Sequence, residues 1–143
     1  RPEVMLNAPW RDVWFVPGDR SYMVRLLRDA GAEYVCRGED TDRSRPIGAE
    51  AAYVFASRAD FWLNPGSANS LAEVAAGNPN FRQVPAFRTG RVYNNNARQT
   101  PMGGSDFWES GVAAPDVVLK DLIRIFHPEL LPNHEPYYFK KLE

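Results

Sequence analysis

Residues 47–66, IGAEAAYVFASRADFWLNPG, place a helix pattern, a short unbroken apolar run and a turn in close succession, and this constrains the fold most. Gly48 suits the helix N-cap, Glu50 falls in the first turn where a carboxylate favours the positive end of the helix dipole, and Val54 and Phe55 supply an apolar face. Residues 57–59 end the helix. Phe61, Trp62 and Leu63 lie between Asp60 and the turn Asn64-Pro65-Gly66, which suits a strand buried on both faces of a parallel sheet. A helix preceding a parallel strand runs antiparallel to it, so Glu50 and Asn64 are expected at one edge of the sheet. In open α/β sheets that carboxyl edge is where ligands bind.

The remainder of the chain repeats this alternation. Residues 3–7 (EVMLN) and 13–16 (VWFV) are apolar strand candidates, the second stopped by Pro17-Gly18. Asp19 or Ser21 caps a helix with Met23, Leu26, Leu27 and Ala30 inward, and Gly31 ends it. Residues 33–36 (EYVC) form the next strand. Residues 37–46 (RGEDTDRSRP) are expected as a solvated charged loop; Glu39, Asp40 and Asp42 lack the remaining spacing of a calcium loop. Ser70 and Glu73 form a capping box for a short helix with Leu71, Val74 and Ala75 inward. Residues 91–94 (RVYN) are a strand whose exit, residues 95–105, is long and rich in turn residues. Pro115 at a first helical position opens PDVVLKDLIRIFHP, with Lys120, Asp121 and Arg124 as one polar stripe, and the ring cluster Tyr137-Tyr138-Phe139 is expected to pack back on the domain. The fold class is therefore α/β, a single mostly parallel four- to five-stranded sheet flanked by helices.

A length of 143 residues with 44% hydrophobic composition fits one core rather than two. The formal net charge of -1 provides no electrostatic footprint for nucleic acid. No apolar run approaches a membrane span, and residues 1–4 (RPEV) lack the pattern of a signal peptide, so a mature or truncated chain is expected. Cys36, the single cysteine, is expected to be a buried thiol. His127 and His134 stand beside prolines without cysteines or carboxylates at ligand spacing, which favours structural or exposed roles over metal binding. Neither a nucleophile elbow, nor a dinucleotide fingerprint, nor a Walker lysine occurs, and residues 66–70 (GSANS) are a capping turn. Aromatics are the stronger signal. Trp10, Trp14, Trp62 and Trp108, with Tyr22 and Phe107, fall near strand exits, and Asn7, Asn64, Arg45 and Arg98 are polar partners for the same edge.

In order, VMLNAPW, WFVPGDRSYMVRLLRDAGAEYV, a helix with an early glutamate, ADFWLNPG, GRVYN, GGSDFWESGV and PDVVLKDLIRIFHPELLP resemble the C-terminal lobe of a periplasmic substrate-binding protein. The type is the ABC importer receptor for iron-siderophore, haem or cobalamin. The resemblance covers nearly the whole chain and implies that residues 1–143 are one lobe of two, the N-terminal lobe and linking helix being absent. It also implies a non-enzymatic, extracytoplasmic protein, periplasmic or lipid-anchored through the missing part. Such a lobe delivers a metal chelate to an inner-membrane permease, with no resident cofactor and no protein-bound metal. Trp10, Trp14, Asn64 and Trp108 are then expected to line one concave edge, with Tyr22 and Arg98 nearby. Glu50 matches the acidic residue that, in the family, docks on permease arginines. The alternative from another class is a small α/β hydrolase or transferase using Asp106, Glu109 or Asp116.

Overall fold

In the computed structural model, which describes residues 1–11, 13–97, 107, 111 and 114–143 and Trp10 by its backbone alone, the sheet is organised around β1 (Glu3–Leu6) and β6 (Phe61–Leu63). These two strands pair in parallel, Met5 opposite Trp62. β4 (Glu33–Tyr34) adds in parallel to the free side of β1, and β7 (Val92–Asn94) to the free side of β6. The five-stranded order β4-β1-β6-β7-β8 is completed by β8 (Lys140–Lys141), antiparallel to β7. The expected mostly parallel sheet is present.

Every residue of β6 is buried, because side chains alternate across a strand and both faces are covered. Phe61 packs edge-on against Phe126 of α5 (Pro115–Phe126), with ring centroids 5.2 Å apart. Trp62 meets Phe81 and Trp14 at 5.8 and 5.7 Å. α1 (Tyr22–Asp29) contacts α5, whereas α2 (Ala49–Arg58) contacts β1 and α4 (Pro85–Arg88). Local signals hold at the helix ends. The Ser21 hydroxyl accepts the Val24 N–H, Gly48 is the N-cap of α2, and the Ser70 hydroxyl accepts the Glu73 N–H at the start of α3 (Leu71–Gly77). The Glu73 carboxylate reaches back to the N–H of Asn69, closing the capping box one residue early.

Four expectations are corrected. The strand candidate VWFV is β3 (Val13–Val16), but it belongs to a separate antiparallel sheet, β2-β3-β5, with β2 (Pro9–Trp10) and β5 (Arg45–Gly48). Its outward side chain, Phe15, is 45% exposed, as expected of a strand covered on one face only. The end of the charged loop is consequently not loop, since Arg45 and Pro46 pair with Val16 and Phe15. Asp121 is not on a polar stripe: it is 0% exposed. Its carboxylate accepts N–H groups from Tyr137, Tyr138 and Phe139 and the Nε2–H of His134 at 2.7 Å. On α2, Val54 is 48% exposed and Ala52 and Ala56 make the buried face.

The charged loop is stitched to the turn before α1. Asp19 N–H donates to Glu39 O, Arg20 N–H to Thr41 O, and Gly38 N–H to the Asp19 carboxylate. Gly18 is buried there, and a Cβ on it would stand 2.1 Å from the carbonyl oxygen of Thr41. Gly18→Ala should therefore lower unfolding free energy by about 1–3 kcal/mol through overpacking against backbone. Gly77→Ala, where a Cβ would meet nothing within 4 Å, should be neutral or slightly stabilising in the same urea titration. Equal stability of the two variants would refute the close approach.

Candidate functional site

The strands β1 and β6 both end in asparagines of left-handed backbone, Asn7 at φ 74° and Asn64 at φ 62°. Asparagine is among the few residues besides glycine that tolerate this region. The conformation turns each chain out of the sheet just past the last ladder bonds, Asn7 N–H to Leu63 O at 2.9 Å and Asn64 N–H to Tyr93 O at 3.0 Å. Between the two strand ends lies a cavity of about 350 Å³ lined by Asn7, Ala8, Phe15, Asn64, Gly66 and Asn95. Its walls are held by amides. Asn7 Nδ2 donates to the carbonyl of Phe15, the Trp62 indole N–H donates to Asn7 O, and Asn95 Nδ2 donates to Asn64 Oδ1 at 3.1 Å. Asn94 Oδ1 accepts the Asn95 N–H, while its Nδ2 donates to Gly66 O and Ala68 O. This arrangement offers an open apolar ring, Phe15, beside side-chain amides, which suits a ligand with a planar or apolar face and hydrogen-bonding oxygens.

The site residues expected from sequence are only partly brought together. Asn64 lines the cavity, and so does Asn7, which was expected as its polar partner. Trp14 does not: it is 0% exposed, donates its indole N–H to Leu6 O at 2.8 Å, and stacks near Phe81 and Trp62. A ring fully enclosed by the core has no face for a ligand, so Trp14 is withdrawn from the site. Tyr22 opens α1 outside the cavity lining. Among the described residues its buried hydroxyl has no hydrogen-bond partner, and burial pushes its pKa up. Arg45 stands 4.0 Å from Glu39, and its charge acts on Tyr34 and on Cys36, whose thiol burial pushes up to about 12. The side chain of Trp10, and Arg98, Trp108, Asp106 and Glu109, lie outside the described residues, as does most of GGSDFWESGV. Asp116 is exposed in the first turn of α5, where the helix dipole favours it.

Four lining residues were not anticipated, Ala8, Phe15, Gly66 and Asn95. Phe15 sits in an unbroken apolar run that gives no sign of which side chain faces out. Asn95 belongs to the Asn94-Asn95-Asn96 triplet that begins at the last residue of β7, a run of amides that marks a polar strand exit.

Glu50 lies elsewhere. It is exposed in the first turn of α2 and lines a second cavity of about 460 Å³ with Tyr53, Val54, Asn80, Phe81 and Gln83. Gly48 pairs with Val13, and Trp14 binds Leu6 O at the end of β1, which puts the start of α2 at the same edge as the asparagine cavity. Among the described residues, no group of three His, Cys, Asp or Glu side chains converges to hold a metal ion, and no helix is long and apolar enough to cross a membrane.

The whole chain superimposes on 49% of a TroA-like periplasmic binding protein, FepB of Veillonella parvula, with a TM-score of 0.68 at 13% identity. The fold is that of one lobe of a TroA-like periplasmic binding protein. A periplasmic heme binding protein of Pseudomonas aeruginosa matches over 99% of this chain and 48% of its own, with TM-score 0.63 and 20% identity. A possible iron-binding, periplasmic solute-binding protein of Staphylococcus epidermidis matches over 89% and 45%, with TM-score 0.63 and 15% identity. In sequence, the chain is 26% identical over 143 residues to an uncharacterized lipoprotein of Methanocaldococcus jannaschii, covering 98% of this chain and 33% of that protein. No protein-family model matches. The chain thus spans a third of the curated relative and about half of each of these solved structures. In this fold the asparagine cavity occupies the carboxyl edge of the parallel strands, the edge at which open α/β sheets take ligands.

Proposed function

We propose that this chain is the carboxyl-terminal lobe of a two-lobe extracytoplasmic receptor that holds a metal chelate and delivers it to the permease of an ABC importer. The chelate is an iron-siderophore, haem or cobalamin, and the lobe binds it without catalysing a reaction. The observation that carries this is the cavity between the ends of β1 and β6, where Asn7, Asn64, Asn95 and the open face of Phe15 meet. Amides can hydrogen-bond the peripheral oxygens of a chelate while a phenyl ring covers its apolar surface. Support for the ligand class comes from the structural neighbours, which are named as haem-binding and possible iron-binding proteins. Support for an extracytoplasmic place, and for a lipid anchor on a preceding segment, comes from those periplasmic neighbours and from the lipoprotein relative.

The test is quenching of intrinsic tryptophan fluorescence by haemin, ferrichrome and cyanocobalamin. One lobe offers about half of the contact surface, so weak but saturable binding of one of the three is expected. Asn64→Gly should abolish it. Glycine adopts φ 62° without strain, so only the amide is lost and the fold is kept. Quenching by none of the three, or undiminished binding by Asn64→Gly, would overturn the proposal.

A further inference from the structure

We propose that Asp121 is a positioning residue for the ligand edge, acting on the asparagine cavity through the carboxyl-terminal tail rather than by touching ligand. The inference rests on that edge being the binding site. A fully buried carboxylate in an amphipathic helix is costly unless its oxygens are filled. Among the described residues they are filled by the tail. Tyr137 N–H lies 2.9 Å from both oxygens, Tyr138 N–H 2.7 Å from Oδ2, Phe139 N–H 3.4 Å from Oδ2, and His134 Nε2 2.7 Å from Oδ1.

Tyr138 is the node through which this clamp reaches the site. Its N–H is held by Asp121, while its carbonyl accepts the N–H of Ala97 at 3.1 Å. Ala97 stands two residues after Asn95, which lines the cavity and donates to Asn64. The rings of Tyr138 and Phe139 pack on Phe107 at 6.2 and 5.6 Å, so Ala97 and Phe107 share Tyr138 as a support. Further along, the tail braces the other flank of the same segment. Lys140 pairs with Asn94, and the Lys140 ammonium donates to Asn69 Oδ1, which also receives Asn96 Nδ2. The segment from Asn94 to Ala97 is bracketed by the tail, and the tail is fixed at its start by one carboxylate. β8 itself is two residues long, too short to fix the tail by its ladder alone.

The test is amide hydrogen exchange on Asp121→Asn, whose side chain keeps the shape of aspartate but turns an N–H pair toward the tail's donors. The quantity read is the exchange rate of the Ala97 amide relative to that of Val35, which is bonded to Val4 O at the far edge of the sheet. That ratio should rise about tenfold or more, since local opening is read separately from global unfolding. His134→Ala should move it in the same direction by less. His134→Gln, which still donates an N–H to the carboxylate, should return it toward the native value. These two variants carry the test if Asp121→Asn does not fold. Faster exchange at residues 137–139 with an unchanged ratio, or equal acceleration of Ala97 and Val35, would overturn the inference, the second being what a purely structural role predicts. Whichever of haemin, ferrichrome or cyanocobalamin quenches the native chain should bind Asp121→Asn about tenfold more weakly, and an unchanged Kd with a raised ratio would also overturn it. A native chain silent to all three counts against the proposed function and leaves the exchange ratio to decide the positioning.

Discussion

Replacing Trp14 with alanine is expected to lower the unfolding free energy by about 3–5 kcal/mol, the range for deleting a large aromatic from a packed core. The indole is fully enclosed, with ring centroids 5.2 Å from Phe81 and 5.7 Å from Trp62, and its N–H satisfies the carbonyl of Leu6 at 2.8 Å. Truncation therefore removes dispersion contacts and leaves a buried acceptor without its donor, each a penalty in its own right. Total stabilities of domains are about 5–15 kcal/mol, so the variant should be marginal at room temperature. Trp14→Phe keeps much of the ring packing and isolates the hydrogen bond, with an expected loss of about 1–3 kcal/mol. Urea titration by circular dichroism reads both. A Trp14→Ala protein of native stability but impaired chelate binding would return Trp14 to the ligand wall and refute its place in the core.

The proposed function, with Glu50 as a docking residue, predicts that in a two-lobe receptor carrying this chain Glu50→Arg abolishes uptake while leaving chelate affinity unchanged. Glu50 is exposed at the start of α2 beside a groove containing Tyr53 and the half-exposed Val54, and it is not among the residues lining the asparagine cavity. A carboxylate there stabilises the helix by roughly 0.3–1 kcal/mol through the dipole whether or not it has a partner. That role predicts a small loss of stability and intact transport for Glu50→Gln. Docking on basic permease groups predicts that reversing the charge places like charges face to face, a mismatch that costs several kcal/mol at an interface and suppresses association. Transport of labelled chelate, with binding measured in parallel, separates the two. Normal uptake by a folded, ligand-competent Glu50→Arg receptor would remove Glu50 from the docking surface.

Much of the architecture was legible because it is written in short-range chemistry. The Gly48 and Ser70 caps, the Pro115 start of α5, the glycine stop after α1 and the apolar run of β6 are each decided by a few neighbouring residues, and all stand as expected. The assignment of VWFV to the parallel sheet failed for a different reason. A four-residue apolar run has the same pattern whether its strand is covered on one face or two, and Arg45 and Pro46, its partners in β5, come from a loop dense in charge. Asp121 misled in the same way. Helical spacing beside Lys120 and Arg124 marks a polar stripe, but only the return of the tail supplies the three N–H groups and the imidazole that let a carboxylate be buried.

The candidate site divides along the same line. Sequence by itself placed Asn7 and Asn64 at the ends of two strands, because an apolar run followed by Asn and a Pro-containing turn ends a parallel strand at its ligand-facing edge. It could not rank the aromatic residues, since a tryptophan near a strand exit has the same local pattern in a core as on a cleft wall. Tertiary structure decided that choice. The antiparallel pairing of β3 with β5 turns Trp14 inward against Trp62 and Phe81 and leaves Phe15 facing the cavity. A strand's two faces are interchanged by a single step in register, and register is fixed by long-range partners that no local pattern contains.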